Sequence, residues 1–406
     1  MSSCLCRLCG GDNLLPVLSL GQVPLANALV AANKLGEPDP TYPLELVFCE
    51  SCSLVHLSES VPPEELFSEY LYFSSFSDTL LEASQTLAHR LVEERGLSDQ
   101  SLAIDIASND GYLLRYYQEK GVPVLGIDPA ENVVRAAEAN GVPTVCGFFG
   151  LEMADGMRDE GRLADVIHAN NVLAHVPDLN GFLKGASRIL KPEGVFVVEV
   201  PYVKHLIERT EFDTIYHEHL CYFSLTALDR AFSSNGLTLS RVEHIPAHGG
   251  SLRVFAGLTD SRDRTVTSLL QEEADWGVAD HQTYADFGQK VRELKTALLD
   301  LLSRLKSEGG SIAAYGAPAK ATTLLNYLDV GPETVAYTVD RSEHKQGRFI
   351  PGVRVPIHPP EKLTEDQPDY ALLMVWNLAD EIIRQQQSYV ERGGKFVVPI
   401  PEPRIV

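Results

Sequence analysis

The chain has 406 residues, 44% of them hydrophobic and 22% charged, which is the make-up of a soluble globular protein with room for two or three domains. Thirty-four Lys and Arg face 56 Asp and Glu, leaving a net charge of −22. So acidic a surface repels phosphate backbones and anionic lipid, excluding nucleic acid as a general partner; a small anion can still be collected by local Lys, Arg or helix N-termini.

The N-terminus, MSSCLCRLCG, has neither the charged start nor the apolar core of a signal peptide. No apolar run reaches membrane-spanning length, so no membrane partner is expected. The cytoplasm is the expected compartment, where the seven cysteines are thiols or metal ligands.

Residues 1–65 are expected to form a small separate module. Cys6-Arg7-Leu8-Cys9 and Cys49-Glu50-Ser51-Cys52 are two C-x-x-C pairs, each able to bend around one ion. Together they make a closed tetrahedral Cys₄ set, which suits structural zinc. Cys4 stands in a poorer C-x-C relation to Cys6 and is left out of the set.

Residues 66–260 are expected to be a doubly wound α/β domain. Ser101–Ala107, Val122–Asp128, Ala164–Asn170 and Gly194–Val200 read as buried parallel strands, with helices at Gly111–Gly121 and Ala130–Gly141. The first strand enters the turn Ala107-Ser108-Asn109-Asp110-Gly111, where a ligand can approach backbone N–H groups. The second strand ends at Asp128, before Pro129. An acid placed about 20 residues after the first turn can accept hydrogen bonds from a ribose. These features fit either NAD or S-adenosylmethionine. The missing G-x-G-x-x-G favours the methyl donor, and so does the turn Leu190-Lys191-Pro192-Glu193-Gly194, which resembles the turn before the fourth strand in many methyltransferases. The assigned cofactor residues are Ala107, Asn109, Asp110, Gly111, Asp128, Pro129 and Asn170. A strand pair is expected within Thr238–Leu258.

Residues 261–406 are expected to form a second Rossmann-like domain. Its strands are Ser311–Tyr315, Val335–Asp340, Tyr370–Trp376 and Lys395–Ile400, and its helices run from about Ala319 to Leu328 and from Ala379 to Arg392. The turn Gly316-Ala317-Pro318-Ala319 leads into a helix bearing Lys320, a plausible diphosphate cradle to which Lys345 and Arg348 add charge.

Ile215-Tyr216-His217-Glu218-His219-Leu220-Cys221-Tyr222 is the densest run of proton-transfer groups. The H-x-H spacing of His217 and His219 also suggests metal. A third metal ligand with suitable spacing is not evident.

From these residues the chain resembles the S-adenosylmethionine-dependent C-methyltransferases of nucleotide-linked deoxyketosugars, which include the 3-C-methyltransferases of antibiotic sugar pathways. The resemblance runs in order through the Cys₄ N-terminus, Tyr70-Leu71-Tyr72-Phe73-Ser74-Ser75, Asn109-Asp110-Gly111, Asn170-Asn171-Val172-Leu173-Ala174-His175, Tyr216-His217-Glu218-His219 and His248-Gly249-Gly250-Ser251-Leu252-Arg253. It continues through Tyr315-Gly316-Ala317-Pro318-Ala319-Lys320, Val339-Asp340-Arg341 and His344-Lys345-Gln346-Gly347. It implies a zinc-binding N-terminal domain, a central cofactor domain and a C-terminal domain that helps hold the sugar nucleotide.

Carried over by residue, the family's base falls on His219, with Tyr216 and Glu218 beside it and His175 and Tyr70 as further active-site groups. Tyr222, Gly250, Ser251, Lys320, Lys345 and Arg348 are the expected substrate contacts. The implied reaction removes the C3 proton of a 4-ketosugar, carried on TDP in preference to GDP, and methylates the resulting enolate. Zinc is expected to stand apart from the chemistry. A nicotinamide-dependent sugar oxidoreductase or epimerase is the alternative enzyme reading. The oligomeric state is left open.

Overall fold

The computed structural model describes residues 4–62, 65–66, 74–76, 78–246 and 249–406. Tyr70, Tyr72 and His248 lie outside the described residues. Among those described, no helix is long and apolar enough to cross a membrane.

The N-terminal module is an antiparallel sheet in the order Leu14–Pro24, Thr41–Cys49, Val55–Leu57, Cys221–Tyr222. In the second strand Leu44, Leu46 and Phe48 are buried while Glu45 is exposed, the period of two that covers one face. The helix His281–Ser307 packs against this module, and Tyr284 stacks on Phe48 with ring centres 4.6 Å apart. The fourth strand comes from the His-rich segment, so the expected catalytic run is built into the zinc module's sheet.

The central sheet has seven strands, in the order Thr238–Ile245, Ser251–Gly257, Leu190–Pro201, Ala164–Asn170, Ala103–Ile106, Val124–Asp128, Thr144–Cys146. Only Ser251–Gly257 runs against the rest. Ala103–Ile106 and Val124–Asp128 are buried throughout, as strands covered on both faces must be. Leu190-Lys191-Pro192-Glu193-Gly194, expected as a turn, belongs to the strand Leu190–Pro201. A register shift between Ala164 and Val166 absorbs the extra residues. Arg253 pairs with Glu199 at 2.7 Å and with Glu243 at 3.4 Å, and Arg90 grips Glu243 at 2.9 and 3.0 Å. These pairs fasten the helix Asp78–Arg95 to the sheet.

The C-terminal sheet runs Ile357–His358, Thr338–Val339, Ile312–Tyr315, Tyr370–Leu373, Lys395–Val398, Arg404–Ile405, parallel except for the last strand. The helix Ala319–Leu328 has the expected bounds. The stretch expected as one helix from Ala379 to Arg392 is two, Ala379–Gln385 and Gln387–Glu391. The break accompanies an inward Tyr389, whose hydroxyl donates to the carbonyls of Pro368 at 2.9 Å and Lys395 at 3.3 Å. A short antiparallel pairing of Val30–Ala31 with Arg348–Phe349 ties the N-terminal module to this domain.

Candidate active site

The two C-x-x-C pairs fold into matching knuckles. Gly10 N donates to Cys6 O at 2.9 Å and Ser53 N to Cys49 O at 2.8 Å, with Gly10 and Ser53 both at positive φ. The sulfurs of Cys6 and Cys52 lie 3.4 Å apart, those of Cys9 and Cys49 3.6 Å apart, and all four within 4.8 Å of one another. None is in a disulfide. Four converging sulfurs with no open position suit a tetrahedral structural zinc ion. Cys4 stands outside the cluster and reaches Ser58 O at 2.9 Å. The knuckles lie closer to the His-rich run than expected: His56, four residues after Cys52, pairs across the sheet with Cys221, two residues after His219.

In the central sheet the strand order reverses between Ala103–Ile106 and Ala164–Asn170. A crevice at the carboxyl ends of such a pair is the usual ligand site. The turn after the first strand holds Ala107, Asn109 and Gly111 at φ of 55°, 50° and 79°. A Cβ on Gly111 would fall 2.7 Å from Val142, so this position needs glycine. Asp128 accepts from Asn109 N at 3.0 Å and Ala130 N at 2.9 Å; burial pushes its carboxyl up while these two N–H groups pull it down. Pro129 follows, its carbonyl facing Cys146 at 3.7 Å. Asn109 Oδ1 accepts from Ser74 N at 3.0 Å and Asp110 Oδ2 from Ser75 N at 3.3 Å, so the segment after the tyrosine-rich motif closes on this turn.

Asp110 Oδ1, Asn170 Oδ1 and Asp105 Oδ2 are buried without hydrogen-bond partners among the described residues. Orphaned acceptors around the crevice fit a cationic, hydroxyl-bearing ligand such as S-adenosylmethionine. Asp105 was not among the expected site residues. Burial, reinforced by Asp128 and Glu199, pushes its carboxyl well above the usual range.

The run 216–220 is a loop, and its side chains diverge as those two apart on a strand would not. His219 Nδ1 lies 2.9 Å from Thr214 O, and a carbonyl only accepts, so Nδ1 carries the proton. In the neutral ring the lone pair is therefore on Nε2, 2.8 Å from Tyr216 Oη. His175, in the turn Leu173–His175 after the fourth strand, meets His219 edge to face with ring centres 4.9 Å apart. Tyr222 lies 6.5 Å from His219 by ring centres, and its hydroxyl is buried. His217 turns away and packs on Tyr42 at 5.8 Å, while Glu218 is buried and accepts from Asn27 Nδ2 at 2.6 Å. Burial pushes the Glu218 carboxyl up to about 7 against the lowering pull of Asn27.

Gly250 and Ser251 open the strand beside Pro201. Gly250 O accepts from Tyr202 N at 3.2 Å, and a Cβ on Gly250 would strike His205 Nδ1 at 2.3 Å. Lys320 is the second residue of the helix Ala319–Leu328. Its Nζ donates to Asn377 Oδ1 at 2.7 Å and lies 4.0 Å from the centre of the Trp376 ring. Trp376 Nε1 donates to the fully buried Asp213 at 2.7 Å. Lys345 Nζ reaches Ala317 O at 2.9 Å, on the same turn as Lys320, whereas Arg348 is exposed on the short pairing with Ala31. Ala317 N already donates to Asp340 at 2.7 Å.

Glu211, beside this cluster, has its carboxyl pushed up to about 7 by burial. An acid raised in the folded state loses its stabilising contribution as pH climbs from its unfolded value to its folded one. Glu211→Gln is therefore expected to change stability little below about pH 4.5. Above about pH 7.5 it should raise stability by on the order of 2–3 kcal/mol, as read by urea unfolding at both ends of that window.

A family profile described as the C-methyltransferase C-terminal domain matches residues 246–401, a zinc-binding domain profile matches residues 6–67, and a methyltransferase domain profile matches residues 80–242. The chain is 37% identical over 404 residues to C-methyltransferase NovU of Streptomyces niveus, covering 99% of this chain and 96% of that protein. It is 33% identical over 97 residues to a ubiquinone biosynthesis O-methyltransferase of Methylobacterium nodulans, 23% of this chain and 38% of that protein. Magnesium protoporphyrin IX methyltransferase from Synechocystis PCC 6803, solved with bound SAM, aligns at a TM-score of 0.33 and 15% identity over 43% of this chain and 78% of that one.

Proposed function

The chain belongs to the S-adenosylmethionine-dependent C-methyltransferases, and from that premise we propose that its acceptor is a nucleotide-linked 4-keto-deoxysugar, carried on TDP and methylated at C3. Carbon is a poor nucleophile until a proton beside a ketone is removed and the charge spreads onto oxygen. The observation that carries the reading is the pairing of His219 Nε2 with Tyr216 Oη at 2.8 Å. It sets a base and a hydrogen-bond donor side by side, as enolisation requires. Nε2 takes the C3 proton, and the hydroxyl displaced from Nε2 donates to the ketone oxygen as charge develops there. His175, against the His219 ring, is a second donor to that oxygen. Thr214 O holds Nδ1–H and so fixes the tautomer that leaves Nε2 basic.

When bound, S-adenosylmethionine supplies a methyl group on a positively charged sulfur, which leaves with the electron pair of the broken bond. Asn109, Asp110, Asp128 and Asn170 hold it at the crevice. Mass spectrometry of products from the purified enzyme, S-adenosylmethionine and a panel of ketosugar nucleotides tests this reading. One added methyl on a 4-keto-deoxysugar nucleotide is expected; no product from any member of the panel rejects it.

Lys320 and Lys345 flank one turn, which supports placing the diphosphate there. Lys320→Ala is expected to weaken sugar-nucleotide binding and to leave S-adenosylmethionine binding nearly unchanged by calorimetry. Thermal stability should fall as well, since the lysine also faces the buried Asp213. Equal losses for both ligands would reject the division of labour.

A further inference from the structure

Glu218 is buried, and Asn27 is its hydrogen-bond partner among the described residues, across 191 positions of sequence. Asn27 stands on the loop between the strand Leu14–Pro24 and the two-residue strand Val30–Ala31. That loop is pinned on both sides of Asn27. Thr322 Oγ1, on the C-terminal domain's helix, donates to Ala26 O at 2.9 Å, and Val30–Ala31 pairs with Arg348–Phe349. The next residue of the helix, Thr323, donates to Ile215 O at 3.1 Å, just ahead of Tyr216. One helix therefore fixes both the loop that carries Asn27 and the run that carries Glu218. The amide grips Oε1 only, leaving Oε2 with no protein donor among the described residues.

We propose that Asn27 is a positioning residue of the acceptor site: by holding Oε1 of Glu218 it aims Oε2 at a hydroxyl of the sugar, so that the zinc-binding module supplies part of substrate recognition. The proposal deepens the ketosugar reading and rests on it. A hydrogen bond from a neutral amide to a carboxylate is of the stronger, charge-assisted kind, and it fixes a side chain that would otherwise sample several rotamers. A sugar hydroxyl is the complementary donor. A ring lacking that hydroxyl would leave Oε2 without its donor, a discrimination that shape alone does not supply.

The test combines kinetics with a spectroscopic reading of the carboxyl group. In the full-length zinc-loaded enzyme, Asn27→Ala is expected to lower kcat/KM for the ketosugar nucleotide by roughly 10- to 100-fold, the loss of one charge-assisted hydrogen bond. Zinc content and S-adenosylmethionine affinity should be unchanged. In a Glu218→Ala background the same change should cost nothing further, because the group it positions is gone. The carboxyl carbon resonance of Glu218, identified by its absence in Glu218→Gln, should move in Asn27→Ala without any substrate present. An equal fold-loss in both backgrounds, or an unmoved resonance, overturns the proposal. A wild-type enzyme inactive on every sugar nucleotide while the resonance still moves would reject the ketosugar reading, and with it the sugar-hydroxyl role, leaving only a structural contact.

Discussion

His219→Asn is expected to retain both ligands and to lose methyl transfer by about 10²–10⁴-fold, the usual contribution of a positioned general base. Asparagine keeps a polar group of similar reach but cannot accept the proton. Exchange of the substrate's C3 hydrogen with deuterated water, followed without a methyl donor, should fall in parallel, since proton removal precedes methyl transfer. Tyr216→Phe should cost less in exchange than His219→Asn, because it removes the donor to oxygen and leaves the Nε2 lone pair intact. His217→Asn is the internal control. His217 is 3% exposed and turned toward Tyr42, so its loss should lower thermal stability while bound substrate still exchanges. Near-normal exchange and turnover in a stably folded His219→Asn protein would move the base to Tyr216 or His175.

The second large effect concerns the metal. One zinc ion per chain is expected by elemental analysis, and Cys4→Ser should keep it. Chelation, or Cys49→Ser, should lower thermal stability and abolish methyl transfer together, because metal binding is folding energy in such modules. Cys49 ends the strand Thr41–Cys49, which pairs with Val55–Leu57, which in turn pairs with Cys221–Tyr222. Leu57 N also donates to Leu220 O at 2.9 Å. Loosening the knuckles therefore loosens the strand next to His219 and the loop that carries Asn27. Zinc is expected to do no chemistry, so its restoration should return activity only as far as it returns the fold. A metal-free protein with unchanged melting and turnover would contradict this.

The parts of the molecule that were legible in the sequence are those whose signals are local. Paired C-x-x-C spacing marks a metal knuckle, and near-continuous apolar runs such as Leu102–Ala107 mark strands buried on both faces. The dense Tyr-His-Glu-His run suggests proton chemistry, and within it Tyr216 and His219 meet at 2.8 Å. What escaped depends on long-range closure. Cys221–Tyr222 is a two-residue strand whose partner, Val55–Leu57, lies more than 160 residues earlier, and nothing in its pattern names that partner. Asn27 is an ordinary loop residue until the fold sets it against Glu218. Asp213 and Trp376 meet across two domains. Asp105 sits within a buried run whose periodicity hides a single carboxylate. The expected turn at Leu190–Gly194 failed for a related reason: a register shift lets the strand begin early despite its Pro and Gly.

The proposed enolate chemistry requires a ketone beside the methylated carbon. The enzyme, given S-adenosylmethionine carrying ¹³C in its methyl group, should be offered a 4-keto-deoxysugar nucleotide and its 4-hydroxy counterpart in parallel, and the products read by carbon NMR. The expected result is a labelled methyl coupled directly to the ring carbon next to the ketone, formed from the keto sugar alone. Equal methylation of the hydroxy sugar, or a label coupled to a carbon not adjacent to the ketone, would contradict it.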